Sequence, residues 1–137
     1  MTDKMNKTDE EWRTELSDEQ YHVLREKGTE PPFRNRYHDS KYNGVYRCAG
    51  CGLELFASAT KYDSGTGWPS FYAPIDPQHI TLAKDFKLLM PRTEVLCARC
   101  GGHLGHVFGD GPEPTGQRYC MNSAALDFAA SEGGDDE

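Results

Sequence analysis

The chain has 137 residues, of which 36% are apolar and 27% are charged, and its net charge is −7. This length fits one domain with a modest core, and the acidic balance argues against a nucleic-acid partner, because such binders usually carry a basic patch. No apolar run is long enough to span a bilayer and no leader sequence opens the chain, so we expect a cytoplasmic protein with no membrane partner and with reduced thiols.

Two short helices are predicted near the N-terminus. Residues 1–8 are polar and are expected to be disordered. Glu11–Leu16 can form a helical turn with Trp12 in the core, and a capping box at Ser17–Gln20 begins a second helix that ends near Gly28. A pair of prolines then excludes further helix and predicts an extended segment.

From residue 44 onward, short runs of β-branched and aromatic residues alternate with glycine and proline, a pattern typical of strands. The predicted strands are Gly44–Arg47, Leu53–Phe56, Phe71–Ala73, Thr93–Leu96, His106–Phe108 and Arg118–Asn122. Their close spacing favours antiparallel sheets over βαβ units. Residues 132–137 are acidic and are predicted to form a solvated tail.

Four of the five cysteines form two Cys-x-x-Cys pairs, Cys48/Cys51 and Cys97/Cys100, each followed by glycine. Two tight turns of this kind direct four thiolates at one ion, which is the ligand set of structural zinc. An iron or iron–sulfur site uses the same ligands and stays open. A thioredoxin-like redox pair fits less well, because the first pair is followed by a predicted strand and not by a helix.

Cys120 is the cysteine left without a pair. In an extended strand, Arg118, Cys120 and Asn122 lie on the same face. A neighbouring cation lowers the pKa of a thiol and so favours the thiolate, which is the form that attacks an electrophile. The alternative is a buried cysteine that packs like a small apolar residue.

Two other segments carry groups suited to chemistry. His103 and His106 follow the second cysteine pair, and histidine is well suited to donate a proton near neutral pH, although both could be surface groups. Trp68 precedes a proline in a glycine-rich loop, where its ring can seat a sulfur-bearing methyl group or pack in the core.

Together these segments resemble the MsrB family of peptide-methionine (R)-S-oxide reductases. The matching motifs are the two Cys-x-x-Cys pairs, Gly-Thr-Glu-Pro-Pro-Phe at 28–33, Ser-Gly-Thr-Gly-Trp-Pro-Ser-Phe at 64–71, Gly-Gly-His-Leu-Gly-His-Val-Phe at 101–108 and Arg-Tyr-Cys-Met-Asn-Ser-Ala-Ala-Leu at 118–126. Their order predicts a reductase domain over residues 9–131. The resemblance implies a mainly β fold of two antiparallel sheets with short peripheral helices, and zinc at Cys48, Cys51, Cys97 and Cys100, far from the reaction.

The resemblance also implies the reaction. Cys120 would attack the sulfoxide sulfur and become a sulfenic acid as methionine leaves. His103 would act as the acid, or hold a water, at the sulfoxide oxygen, with His106 beside it.

The resemblance implies supporting roles for four more residues. Asn122 and Arg118 would orient and polarise the nucleophile, and Asp110 would hold Arg118 or a histidine. Trp68 would bind the methyl group of the oxidised side chain, so that contacts at three points select the R epimer.

One position departs from the family pattern. Where many members have a second cysteine that resolves the sulfenic acid, this chain has Thr66. We therefore expect Cys120 to be reduced directly by thioredoxin, glutaredoxin or a small thiol after it acts on oxidised peptides or proteins. Two other classes stay open: a zinc-ribbon binding module, and a cysteine hydrolase that pairs Cys120 with His103 or His106.

Overall fold

Two short helices come first, as predicted, in a computed structural model that describes residues 7–86 and 91–130. They are α1, Asp9–Glu15, and α2, Asp18–Glu26, and each begins with a complete capping box. The cap of α1 is Thr8, which the sequence assigned to the disordered N-terminal segment. Residues 1–6 and the predicted acidic tail lie outside the described residues. Every helix that is described is too short or too polar to cross a membrane.

Nine strands form two antiparallel sheets among the described residues, which confirms the predicted mainly β fold. They are β1 Gly44–Cys48, β2 Glu54–Ala57, β3 Lys61–Tyr62, β4 Ser70–Phe71, β5 Ile80–Asp85, β6 Arg92–Cys97, β7 His103–Phe108, β8 Arg118–Met121 and β9 Leu126–Ala130. The small sheet has the order β2-β1-β9, and the large sheet has the order β3-β4-β8-β7-β6-β5. Strands β3, β5 and β9 were not predicted, and β7 begins three residues earlier than expected.

Aromatic packing joins the two sheets. The rings of Phe56 on β2 and Phe71 on β4 are stacked with centroids 4.5 Å apart, and Tyr46 on β1 meets Phe71 edge-on at 5.2 Å. All three side chains are fully buried. Burying one such side chain contributes roughly 1.5–3 kcal/mol, so this contact holds the small sheet against the large one. Trp12 of α1 is also buried, as predicted.

The position of β8 decides where the unpaired thiol lies. Cys120 is paired with Ser70 on β4 and with His106 on β7, so it sits inside the large sheet and not at an edge. On β7, Gly105 allows a close approach, because a Cβ atom there would lie 2.1 Å from the carbonyl oxygen of Cys120. The fold therefore fixes Cys120 between a hydroxyl-bearing strand and a histidine-bearing one.

Candidate active site and metal centre

A cavity of about 310 Å³ lies over the β7–β8 pair. Its lining residues are Thr29, Thr66, Trp68, Arg92, Gly105, His106, Phe108, Arg118, Cys120, Met121 and Asn122. Five of the seven residues that the sequence analysis selected outside the metal site are in this set, whereas His103 and Asp110 are not. Arg118, Cys120 and Asn122, which were predicted to share a strand face, all line this cavity, and Met121 lines it too.

The Cys120 thiol is only partly exposed, and its surroundings act on it in opposite directions. Burial is the largest influence and raises the pKa of Cys120, whereas Thr66, Arg118 and Ser70 lower it. The net direction is upward, so the lowering expected from Arg118 alone is outweighed. The hydroxyl of Thr66 lies 3.9 Å from the sulfur.

Arg118 is less available to the thiol than its position suggests, because Asp110 binds it with both carboxylate oxygens. The Nε–Oδ1 distance is 2.8 Å and the Nη2–Oδ2 distance is 3.1 Å. This ion pair lowers the pKa of Asp110 and raises the pKa of Arg118. The guanidinium also lies over the Phe108 ring, 4.4 Å from its centroid. Asp110 therefore holds Arg118 and not a histidine.

His106 faces Cys120 across the strand pair and is held from behind by an acid. Its Nε2 atom lies 2.8 Å from a carboxylate oxygen of Asp85, and that oxygen also lies 3.3 Å from Arg92. Because a carboxylate only accepts hydrogen bonds, Nε2 carries a hydrogen and Nδ1 is the nitrogen left to exchange a proton with a ligand. Asp85 therefore sets the tautomer and orientation of an imidazole in the cavity wall.

His103 has a different environment, although its ring is only 5.3 Å from that of His106. Its Nδ1 atom lies 2.7 Å from Glu94, whose other carboxylate oxygen is 3.3 Å from Lys27. His103 and Glu94 are both almost fully buried, and burial lowers the pKa of His103 although Glu94 opposes that shift. His103 is therefore buried beside the His106 ring, which it meets edge-on, and it is not among the lining residues of the cavity.

Glu30 connects the residues of the cavity walls, although the sequence analysis did not select it. Its carboxylate accepts the backbone N–H groups of Ser123 and Ala124, and its own N–H donates to Asn122 Oδ1 at 3.1 Å. Its carbonyl accepts the Trp68 indole N–H at 2.9 Å. With Oδ1 occupied, Asn122 presents its Nδ2 hydrogens, one of them bonded to Leu104 O at 3.3 Å.

The four paired cysteines form a separate cluster in which all the Sγ atoms lie within 4.8 Å of one another. The Cys48–Cys100 sulfurs are 3.6 Å apart, and the Cys51–Cys97 sulfurs are 3.5 Å apart. A tetrahedral ion with bonds of about 2.3 Å separates its sulfur ligands by about 3.8 Å, so the cluster fits a metal ion held by four thiolates. Cys120 does not belong to this cluster. Among the described residues, none of the four clustered cysteines lines the cavity that contains Cys120.

The two metal-binding turns have the same backbone pattern. In the first, Gly52 N–H donates to Cys48 O and Cys48 N–H donates to Leu53 O. In the second turn, Gly101 N–H donates to Cys97 O and Cys97 N–H donates to Gly102 O. Gly52 and Gly101, which follow the two pairs, have positive φ values of 82° and 76°. Both glycines were selected by the sequence analysis because this turn needs that conformation.

Comparison with known proteins agrees with this arrangement. A family model described as the SelR domain matches residues 16–130. A protein of Hahella chejuensis named peptide methionine sulfoxide reductase MsrB is 59% identical over 96% of this chain and 94% of its own length. Proteins of the same name from Methanosarcina mazei and Leptospira interrogans are 57% and 55% identical, over 94% and 93% of this chain and over 92% and 98% of their own lengths.

Proposed function

This chain belongs to the MsrB family of peptide methionine sulfoxide reductases, and on that premise we propose that it reduces the R epimer of methionine sulfoxide with Cys120 as the nucleophile. One observation carries the proposal. The single cysteine outside the metal cluster lies in a cavity together with an indole, an imidazole and an amide, which are Trp68, His106 and Asn122. A binding module has no use for this set of groups.

The reaction transfers oxygen from one sulfur to another. The Cys120 thiolate attacks the sulfoxide sulfur while the sulfoxide oxygen takes a proton, which weakens the S–O bond. The oxygen then moves with its hydrogen to Cys120, methionine leaves as the thioether, and Cys120 is a sulfenic acid. The substrate sulfur gains two electrons and Cys120 loses two, so the step needs no other redox partner.

His106 is the better candidate for the proton donor, whereas the family resemblance pointed first to His103. His106 lines the cavity and is paired across the strands with Cys120, while His103 is buried against Glu94. The Asp85 carboxylate accepts the hydrogen of His106 Nε2 and so orients the ring, which leaves Nδ1 as the atom that can pass a proton to the sulfoxide oxygen. We assign His103 a supporting role behind it.

Three groups distinguish the epimers of a sulfoxide. The Trp68 ring offers an apolar seat for the substrate methyl group, His106 meets the oxygen, and the attacking sulfur fixes the line of approach. In the opposite epimer, the methyl group and the oxygen exchange places, so that the oxygen faces the indole and the methyl group faces the imidazole.

The cysteine cluster would hold zinc, which supplies structural cross-linking and no step of the reaction. It joins the end of β1 to the end of β6, so one ion links the two sheets. Since the free energy of binding of structural zinc in model peptides is on the order of 10–16 kcal/mol, such an ion contributes as much as the net stability of a typical domain.

Regeneration of Cys120 requires two external thiol equivalents. The first thiol attacks the sulfenic acid, releases water and leaves a mixed disulfide, and a second thiol resolves that disulfide. The Thr66 hydroxyl lies 3.9 Å from the sulfur and cannot form a disulfide. We propose thioredoxin, glutaredoxin or a small thiol as the donor, in the cytoplasm, where such thiols are kept reduced and oxidised proteins are repaired.

Turnover of R- and S-sulfoxide peptides with a thiol reductant tests this assignment. We expect only the R peptide to be reduced and Cys120→Ser to abolish the reaction. His106→Gln should lower kcat by about 10²–10⁴-fold, whereas the exposed control His22→Gln should leave kcat unchanged. Full activity of Cys120→Ser, or reduction of the S peptide alone, would refute the proposal.

A further inference from the structure

Three hydroxyl groups form a chain that ends at the Cys120 sulfur. Ser70 Oγ lies 2.7 Å from Ser64 Oγ, Ser64 Oγ lies 2.8 Å from Thr66 Oγ1, and Thr66 Oγ1 lies 3.9 Å from Cys120 Sγ. At the far end, Ser70 donates to the carbonyl oxygen of Trp68 at 3.1 Å. Ser70 is fully buried and is paired with Cys120 across the β4–β8 ladder, so the chain is fixed by the sheet and by its own loop.

The direction of each bond follows from the number of hydrogens. A hydroxyl group has one hydrogen to donate. Because Ser70 gives its hydrogen to the Trp68 carbonyl, it accepts from Ser64, and Ser64 in turn accepts from Thr66. Thr66 has then no hydrogen left for Cys120 and can only accept from the thiol.

We propose that Thr66, Ser64 and Ser70 are positioning residues that reverse their hydrogen bonds when Cys120 loses its proton. In the reversed chain, Ser70 donates to Ser64, Ser64 donates to Thr66, and Thr66 donates to the thiolate. Only hydrogens rotate, so the thiolate gains a donor without movement of any heavier atom. The step costs the bond from Ser70 to the Trp68 carbonyl and replaces it with a bond to a charged sulfur, which is the stronger kind.

This inference rests on the proposed function, since it describes how a nucleophilic Cys120 is ionised. It also agrees with the Thr66 hydroxyl lowering the pKa of Cys120 against the effect of burial. The charged or titratable side chains around the sulfur are the Arg118–Asp110 ion pair, His106 on β7, Arg92 on β6 and Tyr62 on β3. The hydroxyl chain is neutral, so its effect persists at high salt, where the effect of exposed charges is screened.

The pH dependence of Cys120 alkylation by iodoacetamide measures this ionisation directly. Peptide mapping by mass spectrometry separates Cys120 from the other four cysteines, and the assay is run in 0.5 M salt on the metal-loaded protein. We expect Thr66→Val to raise the midpoint by about one pH unit, the size of one hydrogen bond to a charged group. Below the midpoint, alkylation should slow only about threefold, because the rarer thiolate is also more nucleophilic. Thr66→Ser keeps the hydroxyl and should retain the original profile.

Two further variants separate a relay from a local packing effect. Thr60→Val is the matched control, because the Thr60 hydroxyl bonds to Ala57 O and Ala73 O and, within the described part of the chain, has no contact with the Cys120 sulfur. Ser64→Ala should raise the midpoint by less than Thr66→Val does, and should add nothing in the Thr66→Val background. If Thr66→Val does not fold, as judged by thermal unfolding, Thr66→Ala makes the same test.

An unchanged midpoint in the Thr66 variant, or the same shift in Thr60→Val, would overturn the inference. So would a Ser64→Ala shift that persists when the Thr66 hydroxyl is absent. Alkylation needs no sulfoxide and no reductant. If the alkylation midpoint does not shift but Cys120→Ser loses turnover, the hydroxyl chain is refuted and the proposed function stands. If Cys120→Ser keeps full turnover, the proposed function is refuted whatever the alkylation profile.

Discussion

Replacement of Glu30 by alanine should strongly destabilise the protein. The carboxylate is 4% exposed and is the acceptor for the backbone N–H groups of Ser123 and Ala124, which begin the short turn after the nucleophile. Alanine leaves both N–H groups buried without a partner. The backbone of Glu30 also bonds to Asn122 and Trp68. If the backbone shifts in the variant, these two residues of the cavity wall shift with it.

The magnitude follows from the two lost acceptors. Each buried N–H group left without a partner costs about 1–3 kcal/mol. Burial already raises the pKa of Glu30, so the native carboxylate carries a desolvation cost that the mutation removes. We therefore expect the lower part of the summed range, a loss of about 2–4 kcal/mol in the free energy of unfolding. Glu30→Gln keeps one acceptor oxygen and should lose about half as much.

The pH dependence of this loss has a defined sign. The pKa of Glu30 is raised in the folded state. At a pH between the ordinary carboxyl pKa and this raised pKa, the folded protein therefore keeps a proton on Glu30 that the unfolded chain has released. The contribution of that proton to stability is complete below the ordinary carboxyl pKa and is lost as the pH rises through the raised value. The difference between wild type and Glu30→Ala should therefore be larger near pH 4 than at pH 7.

Urea unfolding at fixed metal concentration is the assay, because a bound metal adds to the measured stability. Glu54→Ala is the control. The Glu54 carboxylate is exposed and forms a single surface ion pair with Arg47, at 3.6 Å, and such pairs add little to stability. Its loss should therefore change the free energy of unfolding by less than about 0.5 kcal/mol. If Glu30→Ala unfolds within about 0.5 kcal/mol of wild type, the two N–H groups do not depend on Glu30 and the reasoning is wrong.

Three further predictions concern the metal and the nucleophile. Removal of the metal, or Cys48→Ser, should lower the melting temperature sharply, while Cys120→Ser should keep one metal ion per chain; an unchanged melting temperature without metal would contradict this. Thr66→Cys should form a disulfide with Cys120 after one turnover, because the two side chains already meet; a mass without the loss of two hydrogens would speak against it. Asp110→Asn should free Arg118 and speed alkylation of Cys120 at low salt but not at high salt, and slower alkylation would mean that Asp110 is needed to place Arg118.

Features that depend on local sequence could be predicted. A capping box spans four residues, and a metal-binding turn spans five, so Ser17–Gln20 and both cysteine pairs carry their structure in their own spacing. The alternation of Arg118, Cys120 and Asn122 predicted a shared strand face, and all three line the same cavity, although Met121 between them lines it too. The unpredicted strand β5 has a mixed, largely exposed pattern, because it is the edge strand of its sheet and buries little on either face.

Features that depend on distant contacts could not be predicted. Glu30 binds Ser123, which lies 93 positions along the chain, and Asp85 reaches His106 from the edge strand across β6. The pKa of Cys120 shows the same limit. From the sequence, Arg118 lies two residues from Cys120, so its lowering effect on the pKa could be predicted. The larger, raising effect of burial arises only because β4 and β7 flank the thiol in the folded sheet.

A raised pKa at the nucleophile is a smaller handicap than the thiolate fraction suggests. For each unit by which the pKa of a thiol rises above the ambient pH, the thiolate becomes about tenfold rarer, but each thiolate is about threefold more nucleophilic, so the rate falls only about threefold. A shift of about one unit from the hydroxyl chain would recover that loss. Burial meanwhile restricts access by dissolved oxidants, whose attack depends on exposure and thiolate character. The half-buried Cys120, with the Thr66 hydroxyl as donor to its thiolate, therefore reacts almost as fast with a substrate that fits the cavity. Its reaction with oxidants that do not fit the cavity is slowed much more.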